Sequence, residues 1–223
     1  MLGASDQFGV ELANAGRAAL RTGNYNLAMN RSYPVGNQDF AQLMNEAQRA
    51  NPDIFIAFSY PGDTIAITEQ ARLLGFNPKV FYTAVGTAFP VFRDRFRENA
   101  NGVMGIGGWN ASSPALTNYL ERHKAANGGR EPDRWASSVT FASLEVLSQA
   151  ITRAGSLDRA AVIAEMDKGN FQTIVGRVDF PEKIRRDTWW VGQWQDGEFH
   201  GVAPADMAGA KVPVIPKPAW RTA

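Results

Sequence analysis

Two loops hold the residues best placed for ligand chemistry. Ser59-Tyr60-Pro61-Gly62-Asp63 gathers a hydroxyl, a phenol and a carboxylate, and Thr83 to Ala88 follows the next apolar run. Groups of these kinds hold a small molecule by hydrogen bonds and contact. Nothing beside them completes a catalytic set. There is no Gly-x-Ser-x-Gly elbow for an exposed nucleophile, and cysteine is absent, which excludes disulfides, thiolate catalysis and zinc–cysteine sites. His123 and His200 sit in separate polar contexts without a spaced acid, so no metal set is expected and both are read as solvated. The acidic residues are scattered. The chain is therefore read as a non-enzyme that carries no cofactor.

Residues 39–85 position these two loops. Phe40, Leu43, Met44 and Ala47 recur at helical spacing, Asp39 can cap their helix, and Asn51-Pro52 stops it. Ile54-Phe55-Ile56-Ala57-Phe58 reads as a buried strand. Asp63 can cap a second helix bearing Ile67, Ala71 and Leu74, which ends at Gly75. Lys79-Val80-Phe81-Tyr82 begins the next strand. Two unalternating strands joined by an amphipathic helix make a right-handed crossover, so the sheet is parallel with helices on both faces. In such sheets small ligands bind beyond the carboxyl ends of the strands, which is where both loops fall.

Bulk composition narrows the partners. The 223 residues suffice for one large domain or two small ones. With 23 basic and 22 acidic side chains the net charge is +1, so no strong field draws the chain to nucleic acid or an anionic membrane. No apolar window is long enough for direct membrane insertion. The first six residues have neither the basic start nor the apolar core of a secretory signal.

Elsewhere the elements follow in order. A helix carrying Leu12, Ala15, Ala19 and Leu20 closes at Gly23, and no complete strand is expected before it; Tyr25 to Met29 reads as a strand and Tyr33 to Asn37 as a loop. Phe92 and Phe96 form the seam of a short solvated helix. Val103-Met104-Gly105-Ile106-Gly107-Gly108-Trp109 reads as a glycine-broken strand rather than a dinucleotide loop, because no helix opens from it. Pro114 begins a helix through Tyr119 and Leu120. Trp135 to Ala154 carries apolar residues on more than one face and is read as mostly buried. Asp158 can cap a helix with Val162, Ile163 and Met166 inward. Antiparallel strands are expected over 174–180 and 189–194, the latter followed by the Gln195-Asp196-Gly197 turn, and the proline-rich stretch 212–220 is extended.

Several of these pieces, in this order, carry a family likeness: Phe8-Gly9, Asp39-Phe40, Asn51-Pro52-Asp53, Gln70-Ala71-Arg72-Leu73-Leu74-Gly75, Gly176-Arg177-Val178-Asp179-Phe180 and Gln195-Asp196-Gly197. The chain resembles the substrate-binding proteins of ATP-binding-cassette importers of the branched-chain amino-acid (Leu/Ile/Val-binding) type. The resemblance implies an α/β type I periplasmic binding fold, with one parallel-sheet lobe covered by helices on both faces and an incomplete second lobe. Residues 1–110 then resemble the second lobe with its first strand truncated, 111–187 the late part of the first lobe, and 188–223 the return into the second. Such proteins carry an export signal and most of the first lobe ahead of the position of Met1, so the chain is expected to be a fragment, a truncated gene model or one component of something larger. The helix from Trp135 would then lack the sheet it covers, exposing large apolar side chains each worth about 1.5–3 kcal/mol when buried.

The same resemblance implies extracytoplasmic, periplasmic localisation and two partners, a small carboxylate-bearing ligand and a membrane permease. A ligand-sensing domain of a receptor or regulator with the same fold, or a fragment that does not bind, are the alternatives. The ligand-contacting positions it implies are Phe8 after the first strand, Tyr60 after Ile54 to Phe58, and Val85. Amino-acid binders often place a carboxylate at the position of Val85 to meet the ligand ammonium. Valine supplies none, and an unpaired buried ion costs several kcal/mol, which turns the expectation towards a ligand without an amino group. Asp63, if turned inward, restores the amino-acid reading; otherwise it is a helix cap. Trp135 and Trp109 are placed near the hinge, as its lining or as packing.

Overall fold

The structure is a computed structural model that describes residues 1–107, 109–185 and 188–221. Gly108 of the glycine-broken run and the expected boundary at Asp187 lie outside the described residues. The elements in order are β1 (Leu2–Ala4), α1 (Gln7–Thr22), β2 (Arg31–Tyr33), α2 (Ala41–Ala50), β3 (Ile54–Phe58), α3 (Pro61–Leu73), β4 (Val80–Thr83), α4 (Pro90–Phe96) and β5 (Val103–Gly107). There follow α5 (Pro114–Ala126), α6 (Ser137–Ala154), α7 (Arg159–Lys168), β6 (Phe171–Thr173), β7 (Gly176–Val178), β8 (Trp190–Gln195) and β9 (Glu198–Ala203).

One seven-stranded sheet has the order β2-β1-β3-β4-β5-β8-β9. The pairs from β2 through β5 are parallel, and β8 and β9 add antiparallel at the far edge. The expected helix–strand alternation over 39–85 is present, and its caps explain the boundaries. Asp39 Oδ1 accepts the Ala41 N–H at 2.9 Å, and Asn51 ends α2 in the left-handed conformation at φ 42°. Gly75, at φ 65°, lets the chain turn out of α3. Asp196 and Gly197, both at positive φ, make the tight turn between β8 and β9.

The alternation of β3, β4 and β5 sends Phe55, Phe81 and Val103 into one core with Phe76, Phe92, Phe96, Trp194 and Phe199. On the opposite face Ile56, Phe58 and Tyr82 stay half-buried, so β3 is buried on one face only. Burial pushes the Tyr82 phenol up to about 12.

A second, smaller assembly forms from α6, α7 and the β6–β7 hairpin around Val146, Ala150, Val162, Phe171 and Val178. Asp158 caps α7 as expected, Oδ1 accepting the Ala161 N–H at 2.9 Å. Tyr119 of α5 joins this unit through Phe141, ring centroids 5.0 Å apart.

A strand of only three residues, β1, precedes α1 and lies between β2 and β3; so short a run shows no periodicity. Several expectations need correction. The next strand is Arg31–Tyr33, not Tyr25 to Met29; Tyr33 is buried and pairs with Ala4, whereas Tyr25 lies in solvent. The long helix starts at Ser137 and is not mostly buried. It buries Ser138, Ala142, Val146 and Ala150 along one stripe, leaving Leu144 61% exposed, because α7 and β6 are its principal neighbours. Ile163 is 43% exposed rather than inward. Ile174 and Val175 form the hairpin turn, and the strand begins at Gly176. His200 is not solvated. It is 8% exposed with Nε2 3.0 Å from Lys211 Nζ, and burial first, then the Lys211 charge, lowers its pKa. His123 is half-buried beside Tyr119.

Candidate functional site

The strand order places β1 between β2 and β3, so the chain runs one way to β2 and back across to β3. Sheets of this kind take ligands in a crevice at such a reversal, which here falls beyond the carboxyl ends of β1 and β3. Three segments meet there: Ser5 to Gly9, Ser59 to Asp63, and Ala84 to Thr87.

Asp6 and Gly9 set the first segment. Asp6 Oδ1 accepts the Gly9 N–H at 2.9 Å and caps α1, and its other oxygen accepts a short hydrogen bond from the Tyr60 hydroxyl. A Cβ on Gly9 would fall 2.2 Å from the Ala4 carbonyl oxygen, so only glycine lets α1 start this close to β1. The Tyr60 bond, then the Gly9 bond, hold the Asp6 carboxyl below its usual range, while the same contact raises the Tyr60 phenol. Phe8, 46% exposed, stands at the rim with its ring 6.0 Å from that of Tyr60.

Beneath them lies a buried polar layer. Asp63 Oδ2 accepts the Tyr33 hydroxyl at 3.1 Å and the Tyr60 N–H at 3.3 Å. Burial, and then the Asp63 charge, push the Tyr33 phenol well above its ordinary range. Ser59 Oγ lies 2.7 Å from Thr64 Oγ1, which donates to the Val85 carbonyl at 2.6 Å; the Val85 N–H returns to the Ser59 carbonyl at 3.0 Å. These bonds lock the second and third segments together. Thr87 Oγ1 and Thr83 Oγ1 sit 2.6 Å apart, and Trp194 Nε1 donates to the Thr87 carbonyl at 2.7 Å.

Of the five residues singled out in the sequence, Phe8, Tyr60 and Asp63 fall in one cluster, with Val85 tied to it through Ser59 and Thr64. Asp63 is buried with both contacts spent on Tyr33 and the Tyr60 N–H, so its carboxylate serves the first turn of α3. Trp135 lies apart, stacked on Trp189 at 5.7 Å and tilted against Phe89 at 6.2 Å, where the smaller assembly meets the sheet.

Two functional-looking groups escaped the sequence reading. Asp6 precedes an obvious helix, and its type and position were the available signal. Arg134 carried none. It is 1% exposed, its guanidinium 5.6 Å from the ring centroids of both Trp109 and Trp194, and it pairs with Glu131 at 3.1 Å and Glu198 at 3.6 Å. Burial opposes the Glu131 charge, but Arg134 and Arg93 together hold its carboxyl below the usual range. The Arg134 N–H also donates to the Ala88 carbonyl at 2.9 Å, anchoring the third segment of the crevice.

Among the described residues no group of histidine and carboxylate side chains could hold a metal ion, and no helix is long and apolar enough to cross a membrane. The chain is 24% identical over 218 residues to Leu/Ile/Val-binding protein homolog 7 of Brucella abortus (strain 2308), covering 92% of this chain and 54% of that protein. It thus spans about half the length of the curated relatives it matches. Among solved structures, a leucine binding protein LivK from Thermotoga maritima superposes with a TM-score of 0.74 at 24% identity, over 92% of this chain and 61% of that one. A putative branched-chain amino acid ABC transporter from Silicibacter pomeroyi gives 0.78 at 19% identity, over 99% and 60%. At these identities the structures show the fold, a type I periplasmic binding architecture. A family model described as periplasmic binding protein matches residues 1–198, nearly the whole of the sheet and the smaller assembly together, and the chain belongs to that family.

Proposed function

We propose that this chain is part of an extracytoplasmic solute-binding protein of an ABC importer and supplies one wall of its ligand cleft. The ligand is a small carboxylate-bearing solute, an amino acid or an amino-free or aromatic acid. The observation that carries this reading is the cluster at the strand-order reversal, where the Phe8–Tyr60 ring pair and the Asp6–Tyr60 bond meet. A solved relative in fold, LivJ from Streptococcus pneumoniae, is described in complex with isoleucine, which supports a small amino-acid-sized ligand. The family is one of binding proteins, which supports a reading with no covalent step. Function is hinge closure: the ligand favours the closed state by binding it more tightly, and a permease reads that state.

The electrostatics frame the ligand question. Val85 brings no charge and Asp63 is buried beneath Tyr60, so the carboxylate a ligand ammonium can reach is the half-buried Asp6, which would share its oxygens with the Gly9 N–H and the Tyr60 hydroxyl. The first turn of α3 begins at Pro61 with open space beside Gly62, and the positive end of a helix dipole favours an acid group.

Thermal unfolding with branched-chain amino acids, aromatic amino acids and amino-free carboxylates tests the reading. A ligand at about 100 times its Kd adds about 2.7 kcal/mol of stability. Asp6→Asn keeps a capping oxygen and separates the classes: amino acids lose their shift in this variant, and amino-free acids keep it. If no member of the panel shifts the wild-type midpoint, the chain does not bind alone and the proposal fails for this chain.

A further inference from the structure

After β9, residues 204–214 form a strap that lies along the edge of the sheet and reaches the passage from β5 to α5. Side-chain amides hold its return limb. Gln193 Nε2 donates to the Val214 carbonyl at 3.0 Å and Gln193 Oε1 accepts the Val214 N–H at 2.8 Å, while Gln195 Nε2 donates to the Val212 carbonyl at 3.0 Å. The apex of the strap sits on the passage. Asn110, 2% exposed, donates from Nδ2 to the Ala208 carbonyl at 3.0 Å and accepts the Ser112 N–H on Oδ1 at 3.1 Å. A Cβ on Gly209, which lies at φ 76°, would fall 3.0 Å from Asn110 Nδ2 and 3.3 Å from Ser112 Cβ, so glycine lets the two segments touch.

Between apex and return limb, Lys211 fastens the strap to β9. Its N–H donates to the Gly201 carbonyl at 2.9 Å, and its Nζ lies 3.0 Å from His200 Nε2. An ammonium only donates, so Nε2 accepts; the imidazole is then neutral, with its proton on Nδ1, a buried atom that has no hydrogen-bond partner among the described residues. A second proton goes to Nε2, where it ends the bond and sets two cations 3.0 Å apart.

We propose that the His200–Lys211 pair is a proton-operated clasp: with a neutral imidazole it pins the strap to β9 and, through Ala208 and Asn110, steadies the passage between the sheet and the smaller assembly, and with an imidazolium it releases both. Burial and then the Lys211 charge lower the His200 pKa from 6.5, while Glu198 on the same strand and Asp196 in the adjoining turn pull it the other way; Gln193, opposite on β8, carries no charge. The released state therefore binds a proton that the pinned state does not, so the clasp is intact above 6.5 and weakens as pH falls below it. Its part in hinge closure rests on the binding reading, but its release is measured with no ligand present, so the two fail separately.

The test is amide hydrogen exchange on the full chain, read as protection factors at about pH 7.5 and about pH 5.5 so that the intrinsic pH dependence cancels. The Lys211 N–H reports the strap, the Ser112 N–H reports the passage, and the Ala84 N–H, bonded to the Ala57 carbonyl inside the sheet, is the reference. The expected result is about a tenfold fall in protection at Lys211 and Ser112 on acidification, with Ala84 unchanged. His200→Gln, whose amide oxygen still accepts from Lys211 and takes up no proton, keeps both amides protected at both pH values. Lys211→Met, at an exposed position, lowers protection at the higher pH and removes the acid step, and it serves should the first variant not fold. Protection at Lys211 that is the same at both pH values in the wild type overturns the proposal. So does an acid step of equal size in His200→Gln, and a step at Lys211 with none at Ser112 overturns the link to the passage.

Discussion

The Tyr60 hydroxyl donates to the Asp6 carboxylate across the crevice, joining positions 54 residues apart at the carboxyl ends of neighbouring strands. Tyr60→Phe removes the largest influence on the Asp6 carboxyl, which then titrates nearer the ordinary aspartate range. A carbon-detected NMR titration of the Asp6 carboxyl checks this. An unchanged midpoint would mean that the Gly9 N–H alone holds it.

Arg134 ties the segment before α6 to the sheet from a position enclosed by two indole rings and two acids. Arg134→Ala leaves Glu131 short of a partner and empties a buried volume, and costs about 3–5 kcal/mol in urea unfolding. Arg134→Lys does not restore the loss, because an ammonium cannot lie flat between Trp109 and Trp194. Full rescue by lysine would show that charge alone matters there.

Gly105 in β5 faces the threonine pair of the crevice's third segment. A Cβ at this position would come 2.5 Å from Thr87 Cβ and 2.8 Å from the Thr83 carbonyl oxygen. Gly105→Ala therefore forces the Thr83–Thr87 contact apart and costs about 1–3 kcal/mol. Thr87→Ser on that background, which removes a methyl group beside the new Cβ, recovers part of the loss in the same assay.

Lys217 is buried with Nζ donating to Asn77 Oδ1 at 2.8 Å and to the Pro218 carbonyl at 2.7 Å, and burial lowers its pKa from 10.5 to about 7. Between those values the unfolded chain binds a proton that the folded chain does not, so stability rises as pH increases from about 7 towards 10.5. Unfolding midpoints at pH 7 and pH 9 read the slope, and Lys217→Met flattens it. An equal slope in the variant would assign the titration elsewhere.

Periodicity and caps made much of the larger sheet legible. Ile54 to Phe58 is strand because its apolar run is bounded by Asn51-Pro52 and by Tyr60-Pro61, and Asp158 and Gly169 bracket α7 by local hydrogen bonding and backbone freedom alone. The positions of Phe8 and Tyr60 were legible as loop residues following strands. Their ring contact, the hydroxyl bond to Asp6, and the commitment of Asp63 to Tyr33 were not, because each joins residues from different strands. Leu144 shows the limit in the other direction: helical apolar content cannot say which stripe finds a neighbour, and here only the stripe through Ala142 and Val146 does. Arg134, whose local sequence is plainly solvated in character, is enclosed solely because β5, β8 and the segment before α6 converge on it. Local pattern thus determined the elements and the class of fold, while burial, partners and charge at the site were decided by tertiary contacts between residues far apart in the chain.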